Sequence, residues 1–255
     1  MLGTLRHCWT PLKYIGMPIS KIRLKIFLAV WKRPEITELC FMGIQRLKKH
    51  PNYEISAFAV ISEPEMAPLC NKYGIDWVST SNHPVGRKKN YGLKQLANQE
   101  FDYLLEIGSD DLITNDLLTA YLPFFDQYEF FGISDAIYIE SENGECRRHI
   151  SHKTTYGAGR IISKRLLEEM NYNIWADELN RGLDNSSVAN IYSKTKVRFH
   201  KIEPMDEPGV IDVKSNENLW KFNYFLGEPY DINKVFAKLS NQEVDQLLKL
   251  QNVSA

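Results

Sequence analysis

Between residues 23 and 125, short apolar runs alternate with helical stretches, and that alternation limits the folds open to this chain more than any other feature. Arg23–Trp31 reads as a strand that turns at Lys32-Arg33-Pro34. Proline suits the first turn of a helix, and Glu35–Lys48 follows with Ile36, Leu39, Cys40, Gly43, Ile44 and Leu47 on one face. The rhythm continues through a strand at Tyr53–Ile61, a helix at Glu63–Tyr73 and a short strand at Trp77-Val78. A helix at Gly86–Asn98, a strand at Tyr103–Ile107 and a helix at Asn115–Phe125 complete it. Strands and helices in strict turn are the signature of a largely parallel sheet with crossover helices, so the expected class is α/β.

After Phe130–Ile139 the rhythm changes. A polar hairpin at Glu140–Cys146 turns near Asn143-Gly144 and leads into Arg147–Tyr156. A helix is expected at Ile162–Met170, partial helix over Trp175–Tyr192, a strand at Lys196–Ile202, and a helix over Ser215–Phe225 capped by Ser215. Asp231–Gln251 reads as one amphipathic helix packing through Val244, Leu247, Leu248 and Leu250. The expected organisation is an irregular leader over 1–20, one domain over 21–228 and a helical extension over 229–255. Within the domain, halves 21–130 and 131–228 form a mostly parallel sheet flanked by helices and a smaller antiparallel region.

The formal net charge is −1, from 31 basic and 32 acidic residues, which argues against nucleic-acid binding through a broad basic face. Cys8, Cys40, Cys70 and Cys146 are scattered without CxxC or metal-ligand spacing, so reduced thiols are expected rather than zinc or disulfides. The most apolar run, Ile26 to Trp31, is too short to cross a bilayer. Arg6, His7, Lys13 and Lys21 interrupt any signal-peptide core, and a soluble cytoplasmic protein is the expectation.

The run from Phe101 to Leu112 is the strongest functional signal. An apolar strand ends in Gly108-Ser109-Asp110-Asp111, a small turn with two adjacent carboxylates. Ligands of open α/β sheets bind beyond the carboxyl ends of strands, and hard oxygen ligands there suit Mg²⁺ or Mn²⁺. The other reading is that Ser109 or Asp110 caps the helix that follows. Arg87, Lys88 and Lys89 open a helix whose N-terminus favours anions, or they solvate a surface turn. Trp175 and Trp220 suit either stacking on a ligand ring or the core. Arg147, Arg148, His149 and His152 border a candidate binding loop.

These residues, in this order, resemble the GT-A fold glycosyltransferases, and in particular the inverting family 2. That family's first strand ends in an N-R-P loop, matched here by Lys32-Arg33-Pro34; its second ends in an acid, matched by Glu63. A G-x-x-x-N-x-G-L element corresponds to Gly86-Arg87-Lys88-Lys89-Asn90-Tyr91-Gly92-Leu93, and D-x-D-D to Gly108-Ser109-Asp110-Asp111. A small-residue turn before a helix corresponds to Gly157-Ala158-Gly159. The resemblance spans roughly residues 23–220 and departs at Gly108, where the family carries an acid.

The resemblance implies a single GT-A-like domain with a nucleotide half and an acceptor half. Its activity would be transfer of a sugar from a nucleoside-diphosphate donor to a hydroxyl acceptor, with inversion and with Mn²⁺ or Mg²⁺. Asp110 is then the metal ligand, with His200 a further one, because some GT-A enzymes use a late histidine. Arg33, Glu63, Arg87, Lys88, Lys89, Asn90, Ser109 and Asp111 would meet the donor, Asn90 by organising its loop. Asp177 and Glu178 resemble the family's acidic base motif, and Asp184 in its Gly-Leu-Asp-Asn turn is a rival base. The acceptor side leaves a saccharide, a lipid-linked saccharide, a protein and modified DNA all open. A sugar-phosphate nucleotidyltransferase is the rival enzyme, disfavoured because Ala29–Pro34 lacks glycine; a binding module without chemistry is the third reading.

Overall fold

The computed structural model describes residues 21–151, 156–207, 209–218, 221–224 and 227–252. The expected leader over 1–20, with Cys8, and His152 and Trp220 lie outside the described residues. In order, the elements are β1 (Ile22–Ala29), α1 (Pro34–Leu47), β2 (Tyr53–Ile61), α2 (Ala67–Lys72), β3 (Asp76–Ser79), α3 (Val85–Lys94) and β4 (Tyr103–Gly108). Then come β5 (Asp111–Ile113), α4 (Asn115–Tyr121), β6 (Phe130–Ile133), β7 (Asp135–Glu140), β8 (Cys146–Ile150), β9 (Arg160–Ser163), α5 (Lys164–Glu169) and α6 (Leu183–Lys194). Last are β10 (His200–Ile202), β11 (Val210–Lys214), β12 (Glu228–Pro229), α7 (Ile232–Phe236) and α8 (Asn241–Asn252).

A seven-stranded sheet runs in the order β10-β6-β9-β4-β1-β2-β3. Strands β4, β1, β2 and β3 are mutually parallel, while β9 runs antiparallel between β4 and β6. Because side chains alternate across a strand, β1 feeds two cores: Leu24, Ile26 and Leu28 pack with Phe41, Ile44 and Leu47 of α1, whereas Phe27 faces Leu93 of α3. Strands covered on both faces read as near-continuous apolar runs, which is why the second halves of β1 and β2, 26–29 and 57–61, stand out in the sequence.

A second, mostly antiparallel sheet in the order β12-β8-β7-β11-β5 packs Ile137, Ile139, Ile211 and Val213 against Ile36 and Leu39 of α1. It is closed from the far side by Val235 of α7 and Leu247 of α8. Ser240 and Glu243 cap α8 reciprocally, and Glu243, fully buried, also takes both the Nε and Nη2 of Arg46 on α1. The molecule is thus one mixed α/β domain, with a mostly parallel central sheet flanked by helices and a second sheet at its side.

Several expectations are corrected. The Ser215–Phe225 helix does not form: the Ser215 amide and hydroxyl both donate to Asn218 Oδ1, closing a turn, and only Phe222–Tyr224 coils, as one tight turn. Residues 160–163, expected in part as helix, form β9, and Ser163 caps α5 by accepting the Leu166 amide. The C-terminal helix is two helices, and Leu248 points to solvent. Cys40, Cys70 and Cys146 are buried free thiols, as expected. Among the described residues no helix is long and apolar enough to cross a membrane.

Candidate functional site

Strand β4 stops at Gly108 because the chain turns at once through Ser109 and Asp110 and re-enters extended structure as β5. Neither acid caps a helix; Thr114 does that for α4, accepting the Leu117 amide at 3.2 Å. The carboxylates of the turn are therefore left for other partners. Strand β5 pairs antiparallel with β11, which sets Asp212 opposite Asp111. On β11, Ile211 and Val213 enter the core beneath, so Asp212 and Lys214 share the opposite face. Carboxylate oxygens of Asp110, Asp111 and Asp212 all lie within 4.8 Å of one another.

Gly108 makes this convergence possible. A Cβ there would sit 2.6 Å from Asp110 Oδ1 and 2.8 Å from Asp111 Oδ2, and the Gly108 amide donates to Asp111 Oδ2. An acid at 108 would displace both neighbours, and Asp212 brings a third carboxylate from across the sheet instead.

The site is crowded with charge. Arg33 Nη1 donates to Asp110 Oδ2 at 3.0 Å, and its Nη2 reaches Ser109 Oγ at 3.4 Å. Asn218 Nδ2 donates to the same Asp110 oxygen, and Lys214 Nζ lies 2.5 Å from Asp212 Oδ2. Burial alone would raise the Asp110 carboxyl, but Arg33 and then Lys214 draw it below its usual range. Asp111 has no such cation in contact: burial, then Asp212 and Asp110, push it well above the usual range. Burial lifts Asp212 to about 6 despite Lys214. Three hard oxygen donors, with Asp212 Oδ1 buried and lacking a hydrogen-bond partner, fit an oxygen-seeking divalent cation.

Two cavities meet at this cluster, sharing Ala29, Val85, Asp110, Asn180 and Lys214 in their walls. The smaller, about 250 Å³, is lined by Trp31, Arg33, Asn82, His83, Lys88 and Ser109. The larger, about 670 Å³, is lined by Lys89, Glu106, Tyr138, His149, Tyr156, Arg181 and Asp184. Asn180 binds the two regions together: its Oδ1 faces His83 Nδ1 at 2.9 Å and accepts the Val85 amide at 3.1 Å.

The residues singled out in the sequence separate into two groups. Arg33, Ser109, Asp110 and Asp111 come together, with Lys88 in the smaller cavity and Lys89 and Asp184 in the larger. Lys88 is buried, its Nζ donating to Val30 O, Ser62 Oγ and Asn82 Oδ1, and desolvation lowers it to about 8. Lys89 pairs with Glu106 and sits 4.1 Å above the Trp175 ring. Trp175 is itself buried against Phe27, a core residue.

Asp184 Oδ2 accepts the Gly157 amide at 2.9 Å on the cavity wall. Asp177 and Glu178 are exposed and line neither cavity; Asp177 instead accepts Asn90 Nδ2 at 2.8 Å. Asn90 also donates to Trp175 O and accepts the amides of residues 174 and 175, so it is a staple that fixes the acidic segment against α3. Gly86 allows the same approach, because a Cβ there would lie 1.9 Å from the Ala176 carbonyl oxygen. Glu63 accepts the Lys32 amide at 3.3 Å outside both cavities, and Arg87 is exposed away from them. His200 lies on β10, the edge of the large sheet, with its ring stacked 3.7 Å from that of Tyr128; it is outside the acidic cluster. Sequence reasoning missed Asp212, Lys214, Asn218 and Glu106.

No protein-family model matches the chain, and no curated protein matches it in sequence. Solved structures do. S. aureus TarS 1-349 in complex with UDP superposes with a TM-score of 0.55 at 15% identity, over 91% of this chain and 65% of that one. Another structure of S. aureus TarS 1-349 gives 0.51 at 16% identity over 75% of this chain, which spans 60% of that chain's length. The mannosyltransferase PcManGT from Pyrobaculum calidifontis, in complex with GDP-Man and Mn²⁺, gives 0.54 at 12% identity, covering 84% and 63%. At these identities the likeness concerns architecture, and the architecture is that of a GT-A-like glycosyltransferase fold.

Proposed function

We propose that this protein is a metal-dependent glycosyltransferase that moves a sugar from a nucleoside-diphosphate donor to a hydroxyl acceptor with inversion. The observation that carries the reading is the carboxylate cluster at the end of β4, standing in the wall between two cavities. The smaller cavity, with Trp31, Asn82, His83 and Lys88, suits the nucleoside; the larger, walled by Tyr138, His149 and Tyr156, suits a saccharide ring and its acceptor. The neighbours in complex with UDP and with GDP-Man and Mn²⁺ support the donor class.

Asp110, Asp111 and Asp212 would hold Mn²⁺ or Mg²⁺, with Asp212 in the place the sequence reading gave to His200. The ion supplies charge neutralisation for the departing diphosphate. Arg33 fixes Asp110 in orientation and brings a second positive group to the same oxygens. Inversion needs a base on the acceptor side, and Asp184 is our choice, because its carboxylate lies on the wall of the cavity that also contains Asp110. Asp177 is disfavoured by its bond to Asn90 and its place outside the cavities.

The test is a screen of common nucleotide sugars for hydrolysis with and without Mn²⁺, followed by Asp110→Ala and Asp184→Asn. Asp110→Ala should abolish metal-dependent donor binding while circular dichroism stays unchanged. Asp184→Asn should lower transfer by about 10²–10⁴-fold while donor affinity holds. No hydrolysis of any donor and no thermal shift with any would sink the reading.

A further inference from the structure

Lys214 is the member of the cluster that a plain three-carboxylate cation site does not need. Its Nζ lies 2.5 Å from Asp212 Oδ2 and 4.0 Å from Asp110 Oδ2, and its side chain is only 8% exposed. It therefore sits among the oxygens that a divalent cation would use. Two cations cannot share those oxygens without repulsion, so an incoming ion must drive the ammonium aside or bind weakly beside it. Arg33 is less able to yield, since its fork is held by Asp110 and Ser109 together. Lys214 is a point charge on a flexible four-carbon stem, with its backbone fixed in β11 and the Tyr138 ring 5.4 Å away. It also borders both cavities, so an anion bound in either is within reach of a swing of that stem.

We propose that Lys214 is an internal counter-cation: it occupies the carboxylates when the site is empty of ligand and transfers its charge to a diphosphate when one arrives. The ammonium then competes with a divalent cation for Asp110 and Asp212, and it attracts a diphosphate even without that ion. This inference rests on the metal-dependent reading above.

One substitution should move two affinities in opposite directions, which loss of structure does not do. Mn²⁺ binding to the full chain is followed by the electron paramagnetic resonance of the free ion, and pyrophosphate binding is measured separately in EDTA by calorimetry. Lys214→Met should bind Mn²⁺ alone about tenfold tighter than the wild type and bind metal-free pyrophosphate about tenfold more weakly. Lys214→Arg, which keeps the charge, should stay near the wild type in both. If Lys214→Met does not fold, Lys214→Gln takes its place with the same expectation. Mn²⁺ bound equally by wild type and the neutral variant overturns the counter-cation and leaves the metal site standing. Mn²⁺ bound by neither overturns both.

Discussion

Two clusters of buried charge lie four residues apart along the chain, one at Glu106 within β4 and one at Asp110 in the turn that follows, and they are built to opposite plans. Glu106, within β4, is 2% exposed and meets two cations, Lys89 and Arg160. Each cation has further support: Lys89 lies over Trp175, while Arg160 donates to Ser187 Oγ at 2.7 Å and faces the rings of Phe130 and Phe199. At the end of the strand the ratio reverses, with three acids facing Arg33 and Lys214. The first cluster is closed by the protein's own charges; the second carries more acid than its cations match. Burying charge is costly in both places, and the surplus of the second cluster is relieved either by a proton, as the upward shifts of Asp111 and Asp212 show, or by a cation from outside.

The contrast breaks if the two clusters respond alike to mutation. The largest effect is expected at Glu106→Ala, which leaves Lys89 and Arg160 buried without their common acid and should cost about 3–5 kcal/mol in urea denaturation. Saturating the other cluster should do the reverse. Mn²⁺ at a hundredfold excess over its dissociation constant should add about 2.7 kcal/mol, reversed by EDTA and absent in Asp111→Asn.

Lys88 sharpens the comparison, because it is a buried cation whose hydrogen bonds go to the neutral oxygens of Val30, Ser62 and Asn82. Its folded-state value of about 8 lies below the ordinary 10.5, so between those limits the unfolded chain binds the proton that the folded chain has released. Stability from this group should therefore rise with pH, by about 2 kcal/mol between pH 8 and 9.5. Buried Cys70 and Cys146 act in the opposite sense, since burial raises both thiols. The measurement is accordingly the difference between wild type and Lys88→Met at the two pH values. The smallest effect is expected at Asp111→Asn without metal. Burial and the neighbouring Asp212 and Asp110 already disfavour the charged form of this side chain, so taking the charge away should change stability by no more than about 1 kcal/mol.

The parallel half of the sheet was legible because its signals are local. Strands β1, β2 and β4 are six to nine residues long and end in apolar runs, β1 and β2 each leading into a helix, and Tyr53–Ile61 emerged with the bounds the sequence suggested. The turn at Asp110 was legible for the same reason. Its third carboxylate was not. Val210–Lys214 is five residues long and carries Asp212 and Lys214 on one face, and it becomes a strand only by pairing with β5 and β7. No local pattern links residue 212 to residue 110. Strand β9 was hidden similarly: four residues beginning with a fully buried arginine do not announce a strand, and the partners that let Arg160 be buried, Glu106 opposite it in the ladder and Ser187 on α6, lie far from it in sequence. The difference in setting between Asp177 and Asp184 also needed the fold, since Asp184, expected in a turn, lies in the first helical turn of α6 on the wall of the larger cavity, whereas Asp177 lines neither cavity.

The antiparallel pairing of Asp111 with Asp212 has a consequence for how the protein matures. A chain emerging from the ribosome carries the acidic turn early, yet it holds only two of the three carboxylates until a segment about a hundred residues later returns to pair with it. On the proposed reading, tight cation capture should therefore be withheld until β11 has paired with β5.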